Sequence, residues 1–195
     1  MRKDNALDRA VLDITPLGIK SLRNLERLSY LVRNLRGDIA EVGVYKGGSA
    51  LLLCRLNPDA QIHLFDTFEG LPRITKFDNH HKKDDFSDVC EEEVRKLLSN
   101  YKNCRIYKGV FPSRTGERVE DKQFRLVHLD VDTYTRYRDS LEFFYMRLVS
   151  KGVIILDDYG SRFCLGAKKA VDEFVKENPE RLILGPERQA YFFKA

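Results

Sequence analysis

Acidic side chains follow two apolar segments that we predict to be β-strands. Asp130 and Asp132 come after the run 126–129, and Asp157 and Asp158 come directly after another run. If the two strands are close in a parallel sheet, their carboxyl ends lie at the same edge, and Asp130, Asp157 and Asp158 meet there. Open α/β sheets bind ligands at this edge.

Three neighbouring carboxylates repel one another and raise one another's pKa unless a cation lies among them. Oxygen ligands favour Mg²⁺, Mn²⁺ or Ca²⁺ over Zn²⁺, and three carboxylates leave positions free for water or substrate. We therefore predict an open divalent-metal site at Asp130, Asp157 and Asp158. The alternative is that an Asp-Asp pair merely opens a turn after a strand.

A glycine-containing turn follows the first predicted strand, in the segment EVGVYKGGS at residues 41–49. Glycines let the backbone approach a ligand, and the helix that follows offers free N–H groups to an anion. Gly43 and Gly47 have the spacing GxxxG, which is neither the GxGxxG of dinucleotide-binding proteins nor a phosphate-binding loop. The turn is a candidate cofactor site, and a tight strand-to-helix connection is the alternative.

Asp66 ends the second predicted strand, in the segment FDTFEG. An acid about 20 residues after a glycine turn is placed to accept hydrogen bonds from the two hydroxyls of a ribose. We therefore predict that Asp66 binds the ribose of a nucleoside cofactor. Its alternative role is to cap the next turn.

The elements that would position these residues alternate between strand and helix. Apolar runs typical of buried strands occur at residues 39–44, 62–65, 105–107, 126–129 and 153–156. Helical patterns between most of them predict right-handed crossovers and an α/β fold with a doubly wound, mainly parallel sheet. The tail segments RLILG and AYFFK are separated only by PERQ, which predicts a C-terminal antiparallel hairpin.

Apolar periodicity predicts the helices. One begins at Leu22 and ends at a Gly37 cap, with Leu31 on its apolar face. A second begins near Asp88, with Glu91 completing a capping pair. A third spans residues 134–149, and a last one passes through Ala167, Ala170, Val171 and Phe174.

Composition limits the classes of protein that the chain can represent. Its 195 residues suggest a single domain, 38–195, with an N-terminal helical segment at 1–37 that belongs to it and could act as a lid. The net charge of +4 comes without a clustered basic stripe, which argues against nucleic-acid binding. The chain has neither a membrane-spanning run nor a signal peptide, and its four cysteines stand singly, so we expect a cytoplasmic protein with reduced thiols.

Five segments together resemble the macrocin O-methyltransferase family of class I methyltransferases: EVGVYKGGSALLL, HLFDTFEGLP, HLDVDTY, LEFFYMRLVSKGVIILDDYG and CLGAKKAVDEF. The resemblance covers about residues 39–174. It implies a seven-stranded Rossmann-like sheet and an enzyme that methylates a sugar hydroxyl with S-adenosylmethionine and Mg²⁺ or Mn²⁺. The implied partner is a small-molecule or glycan acceptor, and the resemblance also suggests a homo-oligomer.

The resemblance assigns a role to each candidate residue. The cofactor-binding segment would begin at Glu41 and include Gly47. Within it, Gly43, Tyr45 and Ser49 would hold the methionine part of the cofactor. Asp66 would hold the ribose. Thr67 or Phe68 would border the adenine; Asp130, Asp157 and Asp158 would bind the metal; and Asp132, beside Asp130, would be the general base.

Other functions stay open at this point. The pattern ExGxYxGxS also resembles catechol O-methyltransferase, so a catechol-like phenol is the alternative acceptor. A non-catalytic cofactor-binding module of a larger glycan-building protein is a further alternative, and the glycine spacing disfavours an NAD-dependent oxidoreductase. The polar loop 73–86 is either a lid or a solvated loop, and we expect His128 to be a buried histidine behind the site.

Overall fold

The computed structural model describes residues 6–195. Its helices are α1 (Arg9–Leu12), α2 (Ile19–Val32), α3 (Gly48–Leu56), α4 (Glu91–Leu97), α5 (Tyr134–Tyr145) and α6 (Leu165–Glu177). Its strands are β1 (Asp38–Val42), β2 (Ile62–Asp66), β3 (Cys104–Lys108), β4 (Phe124–Leu129), β5 (Leu148–Leu156), β6 (Ile183–Leu184) and β7 (Ala190–Phe193).

All seven strands form one sheet in the order β3-β2-β1-β4-β5-β7-β6. The first five pair in parallel, whereas β7 runs antiparallel to both β5 and β6. The mainly parallel sheet and the antiparallel C-terminal pair are therefore confirmed. The strand order reverses between β1 and β4, and open α/β sheets bind ligands at the carboxyl ends of the strands at such a point.

Two hydrophobic cores cover the two faces of the sheet, which explains why the central strands are apolar at almost every position. Helices α2 and α3 pack on one face, and the N-terminal residues Leu7 and Val11 are buried in the same core. Helices α5 and α6 pack on the other face around an aromatic group that contains Phe65, Phe111 and Phe144.

Several helix boundaries differ from the sequence-based prediction. Helix α2 ends at Val32, and Gly37 lies at the entry to β1 with a φ of 133°, so it does not cap the helix. Leu31 is 55% exposed because it lies on the outer face of α2. The prediction that Asp88 caps the next helix is also wrong: its carboxylate accepts hydrogen bonds from the Tyr45 hydroxyl and from Lys46 Nζ.

The predicted helix over residues 134–149 ends early, at Tyr145. Leu148 and Val149 instead begin the long strand β5, where Leu148 pairs with Phe124 of β4. Their apolar side chains fit the helical period, but pairing with β4 decides the local structure. The remaining predicted helix, through Ala167 and Phe174, is confirmed as α6.

Phe144 is the side chain that we expect to matter most for this core, because it is fully buried and stacks on Phe111 at 4.8 Å between ring centroids. Phe144→Ala should lower the free energy of unfolding by about 3–5 kcal/mol, measured by urea titration. Met146→Ala is the control, since Met146 is 76% exposed and should change stability by less than about 0.5 kcal/mol. Equal losses in the two variants would contradict this packing.

Candidate active site

A cavity of about 480 Å³ opens at the carboxyl ends of β1, β2, β4 and β5, a volume typical of small-molecule sites. One side is formed by the glycine turn and the end of β2, and the other by the acids that follow β4 and β5. Pro16 and Leu17 of the N-terminal segment and residues of loop 73–86 complete the wall. The cavity thus lies where the strand order reverses.

Gly43 brings the glycine turn into direct contact with the loop after β4. Its φ of 87° is in the left-handed region, and a Cβ there would collide with the carbonyl oxygen of Asp130. Gly43 N–H donates to the carbonyl of Phe65, and Asp130 N–H donates to the carbonyl of Val42. The turn is therefore fixed between its two neighbouring strands.

Asp66 faces the cavity at the end of β2, but its carboxylate already holds the backbone. Oδ2 accepts hydrogen bonds from Val44 N and Tyr45 N at 2.7 and 2.8 Å, and Oδ1 accepts one from Phe68 N at 2.8 Å. A carboxylate offers about four acceptor positions, so roughly one remains for a ligand. Asp66 thus orders the glycine turn and can still accept from one hydroxyl.

Asp130, Asp157 and Asp158 converge as the sequence predicts, with carboxylate oxygens all within 4.8 Å of one another. Asp157 and Asp158 are 1% and 3% exposed. Burial and the neighbouring carboxylates raise the pKa of Asp130 well above its usual value, and burial with Asp157 raises the pKa of Asp158. This mutual repulsion is the condition that a bound cation would relieve.

Hydrogen bonds hold two of these carboxylates, and the Cys164 thiol also contacts Asp158 Oδ1 at 3.7 Å. Asp157 Oδ1 accepts from Gln189 Nε2 at 2.6 Å, and Asp158 Oδ2 accepts from Asp132 N at 2.9 Å. The Tyr137 hydroxyl lies 3.0 Å from the same Asp158 oxygen. Among residues 6–195, no donor contacts the Asp130 carboxylate, which leaves it free to bind a ligand.

Asp132 occupies a strained turn at the edge of the cavity. Its φ is 59°, and Thr133 N donates to the Val131 carbonyl at 2.6 Å, which closes a three-residue turn around Asp132. Such strain persists only where the surroundings enforce it, and here the Asp132 N–H is fixed by Asp158. Burial and the Asp158 carboxylate raise the pKa of Asp132 well above its usual value.

A buried charge network lies behind the three aspartates. His128 Nδ1 is 2.8 Å from Glu41 Oε1, and its Nε2 is 3.7 Å from Asp157 Oδ1, with both Glu41 and His128 fully buried. Burial disfavours the charged imidazole, but the carboxylates of Asp157 and Glu41 outweigh it and raise the pKa of His128 to about 10. His128 is therefore the buried histidine that the sequence suggests.

Not every predicted cofactor residue lines the cavity. Gly43, Tyr45, Asp66 and Thr67 do, whereas Glu41 pairs with His128 inside the sheet. Gly47 and Ser49 begin α3, and Phe68 is buried in the core below. Cofactor contacts at all eight positions stay predictions.

Loop 73–86 is docked against the cavity. Asp78 is fully buried and accepts hydrogen bonds from Tyr134 N at the start of α5 and from Thr75. His80 packs edge-on against Phe163 at 5.6 Å between ring centroids. Lys76, Lys82 and Lys83 of this loop are exposed, so part of it is solvated, and its role as a lid stays a prediction.

Arg136 is a cavity residue that the sequence analysis missed. It is 6% exposed on the first turn of α5, and its Nε has no hydrogen-bond partner among the described residues. Burial lowers its pKa, while Asp66 and Asp132 favour its charged form. Arg136 lies on the first turn of α5, which begins at Tyr134, directly after the turn that holds Asp132.

Comparisons with known proteins agree on one group of enzymes. A sequence profile described as "Macrocin-O-methyltransferase (TylF)" matches residues 1–182. The chain is 29% identical over 179 residues to demethyldecarbamoylnovobiocin O-methyltransferase of Streptomyces niveus, covering 82% of this chain and 67% of that protein. The chain thus spans about two thirds of the length of this relative.

Two further matches support the same grouping. One is 8-demethyl-8-(2,3-dimethoxy-α-L-rhamnosyl)-tetracenomycin-C 4'-O-methyltransferase of Streptomyces olivaceus, 29% identical over 172 residues that cover 78% of this chain and 65% of that protein. The other is the solved structure of the O-methyltransferase NovP, with a TM-score of 0.80 and 27% identity, covering 93% of this chain and 82% of that one.

No helix among the described residues is both long and apolar enough to cross a membrane.

The buried pair of Glu41 and His128 predicts a large and asymmetric effect on stability. His128→Leu should lower the free energy of unfolding by about 3–5 kcal/mol, because it leaves a buried carboxylate without its cationic partner. The double variant Glu41→Leu/His128→Leu should lose less than His128→Leu alone in urea titrations. A double variant that loses the sum of the two single effects would contradict the coupling.

Proposed function

The chain belongs to the macrocin O-methyltransferase family and is an S-adenosylmethionine-dependent O-methyltransferase, and from this premise we propose that it methylates a sugar hydroxyl with the help of a divalent cation. The acceptor would be a glycan or a glycosylated small molecule. The observation that carries the proposal is the cluster of Asp130, Asp157 and Asp158, two of which, Asp130 and Asp158, line a cavity whose other wall is the glycine turn and Asp66.

The donor set fits a hard divalent cation. All three side chains offer carboxylate oxygens, they lie within 4.8 Å of one another, and Asp130 has no hydrogen-bond donor in the described part of the chain. Asp130, Asp157 and Asp158 would hold Mg²⁺ or Mn²⁺, as all-oxygen sites do. When bound, such an ion lowers the pKa of an acceptor hydroxyl and orients it.

The opposite wall fits a nucleoside cofactor. Gly43 and Tyr45 expose backbone to the cavity, Asp66 keeps about one acceptor position for a ribose hydroxyl, and Thr67 lies next to it. Ser49 would reach the carboxylate of the cofactor from the start of α3. S-adenosylmethionine supplies a methyl group on a sulfonium, so the protein's task is to align acceptor oxygen and methyl carbon.

Asp132 would remove the acceptor proton. It lines the cavity next to the three aspartates, and burial and the Asp158 carboxylate raise its pKa, which makes it a stronger base than an exposed carboxylate. The turn that holds Asp132 fixes its backbone N–H on Asp158, so the base and the metal-binding set keep one geometry. Arg136 lies beside Asp132 and compensates part of the local negative charge.

The relatives favour a sugar over a phenol as the acceptor, because the name of one of them includes a rhamnosyl group. A radiolabelled methyl-transfer assay with Mg²⁺ tests this proposal against free sugars, nucleotide sugars, glycosylated aromatic compounds and catechols. We expect product with a glycosylated acceptor. Transfer only to catechols would show that the acceptor is a phenol and not a sugar. Cofactor binding without turnover on any acceptor would favour a binding module.

A cytoplasmic location and a homo-oligomer stay predictions.

Asp157→Asn should abolish Mg²⁺-stimulated turnover while leaving S-adenosylmethionine affinity nearly unchanged, because Asp157 lies on the metal side of the cavity. Steady-state rates with Mg²⁺ and with excess EDTA, together with cofactor titration calorimetry, measure both effects. Asp121→Asn, an exposed acid far from the cavity, is the matched control. Equal wild-type rates in EDTA and in Mg²⁺ would exclude the metal role.

Asp66→Ala should weaken S-adenosylmethionine binding by about 1–3 kcal/mol, through loss of a hydrogen bond to the ribose and of order in the glycine turn. Calorimetric titration of the cofactor measures this loss. Glu69→Ala is the control, since Glu69 is exposed three residues away. An affinity equal to that of the wild type would show that Asp66 does not hold the cofactor.

A further inference from the structure

A second group of metal-binding side chains faces the same cavity and differs in chemistry from the three aspartates. His81, Asp132 and Cys164, which we call the mixed-ligand cluster, each offer one ligand atom within 4.8 Å of the others. Cys164 Sγ lies 3.5 Å from His81 Nε2 and 3.8 Å from Asp132 Oδ1. One nitrogen, one oxygen and one sulfur thus meet at one point.

These separations match a tetrahedral metal centre. With metal–sulfur bonds of about 2.3 Å and metal–nitrogen or metal–oxygen bonds of about 2.0–2.1 Å, ligand atoms on tetrahedral corners are about 3.4–3.6 Å apart. The two distances from Cys164 Sγ, 3.5 and 3.8 Å, are close to this value, and the ligand atoms of His81 and Asp132 lie within 4.8 Å of each other. Three protein ligands leave a fourth position for water.

A carboxylate lies near the second ring nitrogen of His81, beyond hydrogen-bond distance. His81 Nε2 points to Cys164, and the other ring nitrogen, Nδ1, lies 3.8 Å from Asp85 Oδ2. Histidines that bind metals commonly place a carboxylate on the nitrogen that does not bind, which fixes the ring and its tautomer. The His81 side chain is only 8% exposed, and the buried Asp78 anchors its loop to α5.

We propose that His81, Asp132 and Cys164 bind a thiophilic divalent cation, Zn²⁺ among physiological ions, at a site that adjoins Asp130, Asp157 and Asp158, since Cys164 Sγ also lies 3.7 Å from Asp158 Oδ1. Thiolate and imidazole select Zn²⁺, whereas Mg²⁺ requires oxygen ligands, so the two sites discriminate between ions by ligand type. On binding, the Cys164 S–H bond is replaced by a sulfur–metal bond, and the proton leaves to solvent.

This site also has a consequence that rests on the proposed function. Asp132 belongs to the mixed-ligand cluster and is the proposed base, so a cation held there withdraws its carboxylate from the acceptor hydroxyl. Zn²⁺ should therefore inhibit methyl transfer even when Mg²⁺ is saturating. The cluster would make the enzyme sensitive to free Zn²⁺.

Titration of the purified full chain with Co²⁺, a spectroscopic substitute for Zn²⁺, tests the site without any acceptor. We expect a near-ultraviolet thiolate-to-Co²⁺ charge-transfer band that Zn²⁺ displaces and Mg²⁺ does not. Cys164→Ser, a nearly isosteric change, should abolish the band, and Asp85→Asn should weaken Co²⁺ binding by about 10–100-fold. Asp157→Asn should keep the band, since Asp157 is outside the cluster.

Two control variants assign the band to Cys164. Cys90 is exposed, and Cys54 and Cys104 interact with each other, so both locations could bind Co²⁺ independently. Cys90→Ser and Cys104→Ser should both keep the band. No band in the wild type, or one that survives Cys164→Ser, overturns the proposal; circular dichroism confirms that each variant is folded.

Inhibition separates this proposal from the proposed function. Zn²⁺ should lower the methyl-transfer rate of the wild type by at least tenfold and should have little effect on Cys164→Ser relative to that variant's own zinc-free rate. A Cys164-dependent Co²⁺ band in a chain that methylates no acceptor would support the site and contradict the proposed function. A band without Zn²⁺ inhibition would support the site and contradict the assignment of Asp132 as the base.

Discussion

Repulsion among four carboxylates at one end of the sheet is the constraint on which the rest of this structure depends. Asp130, Asp132, Asp157 and Asp158 are held close together where little water can screen them, an arrangement that opposes folding. The protein offsets it by fixing the acids from behind. Gln189 holds Asp157, while Tyr137 and a backbone N–H hold Asp158.

The same constraint explains the buried charges around the site. His128 lies between Glu41 and Asp157, whose carboxylates raise its pKa, and Arg136 is a second buried basic side chain, whose charged form Asp66 and Asp132 favour. Neither side chain forms an ion pair with Asp130 among the described residues. These two basic groups offset only part of the negative charge, and the face of the set that points into the cavity stays open.

The sequence predicted the parts of the molecule that depend on local pattern. Apolar runs identified the strands because a sheet covered on both faces needs them, and the acids at the ends of β4 and β5 were found because parallel strands end at one edge. Helix ends were predicted less well. Leu148 fits a helical period, but it pairs with Phe124 across the sheet, and no local pattern shows that partner.

The part of the site that came only from the structure depends on contacts between distant segments. Cys164 meets His81 across 83 positions of the chain, and Asp78 bonds to the start of α5 across 56. A lone cysteine and a polar loop carry no periodic signal. Arg136 follows Asp132 by four residues, but an arginine on the first turn of a helix is ordinarily solvated, and only the fold shows that it is buried.

The contact between Gly43 and the carbonyl of Asp130 has a mechanical consequence. Since the two loops touch through backbone atoms and each is bonded to the neighbouring strand, the donor half and the acceptor half of the crevice behave as one rigid block. Substrate entry and product exit must then involve the peripheral segments, the stretch around Pro16 and the loop that carries His81. Divergence in those segments can change which molecules are admitted without altering the spacing at which the reacting atoms meet.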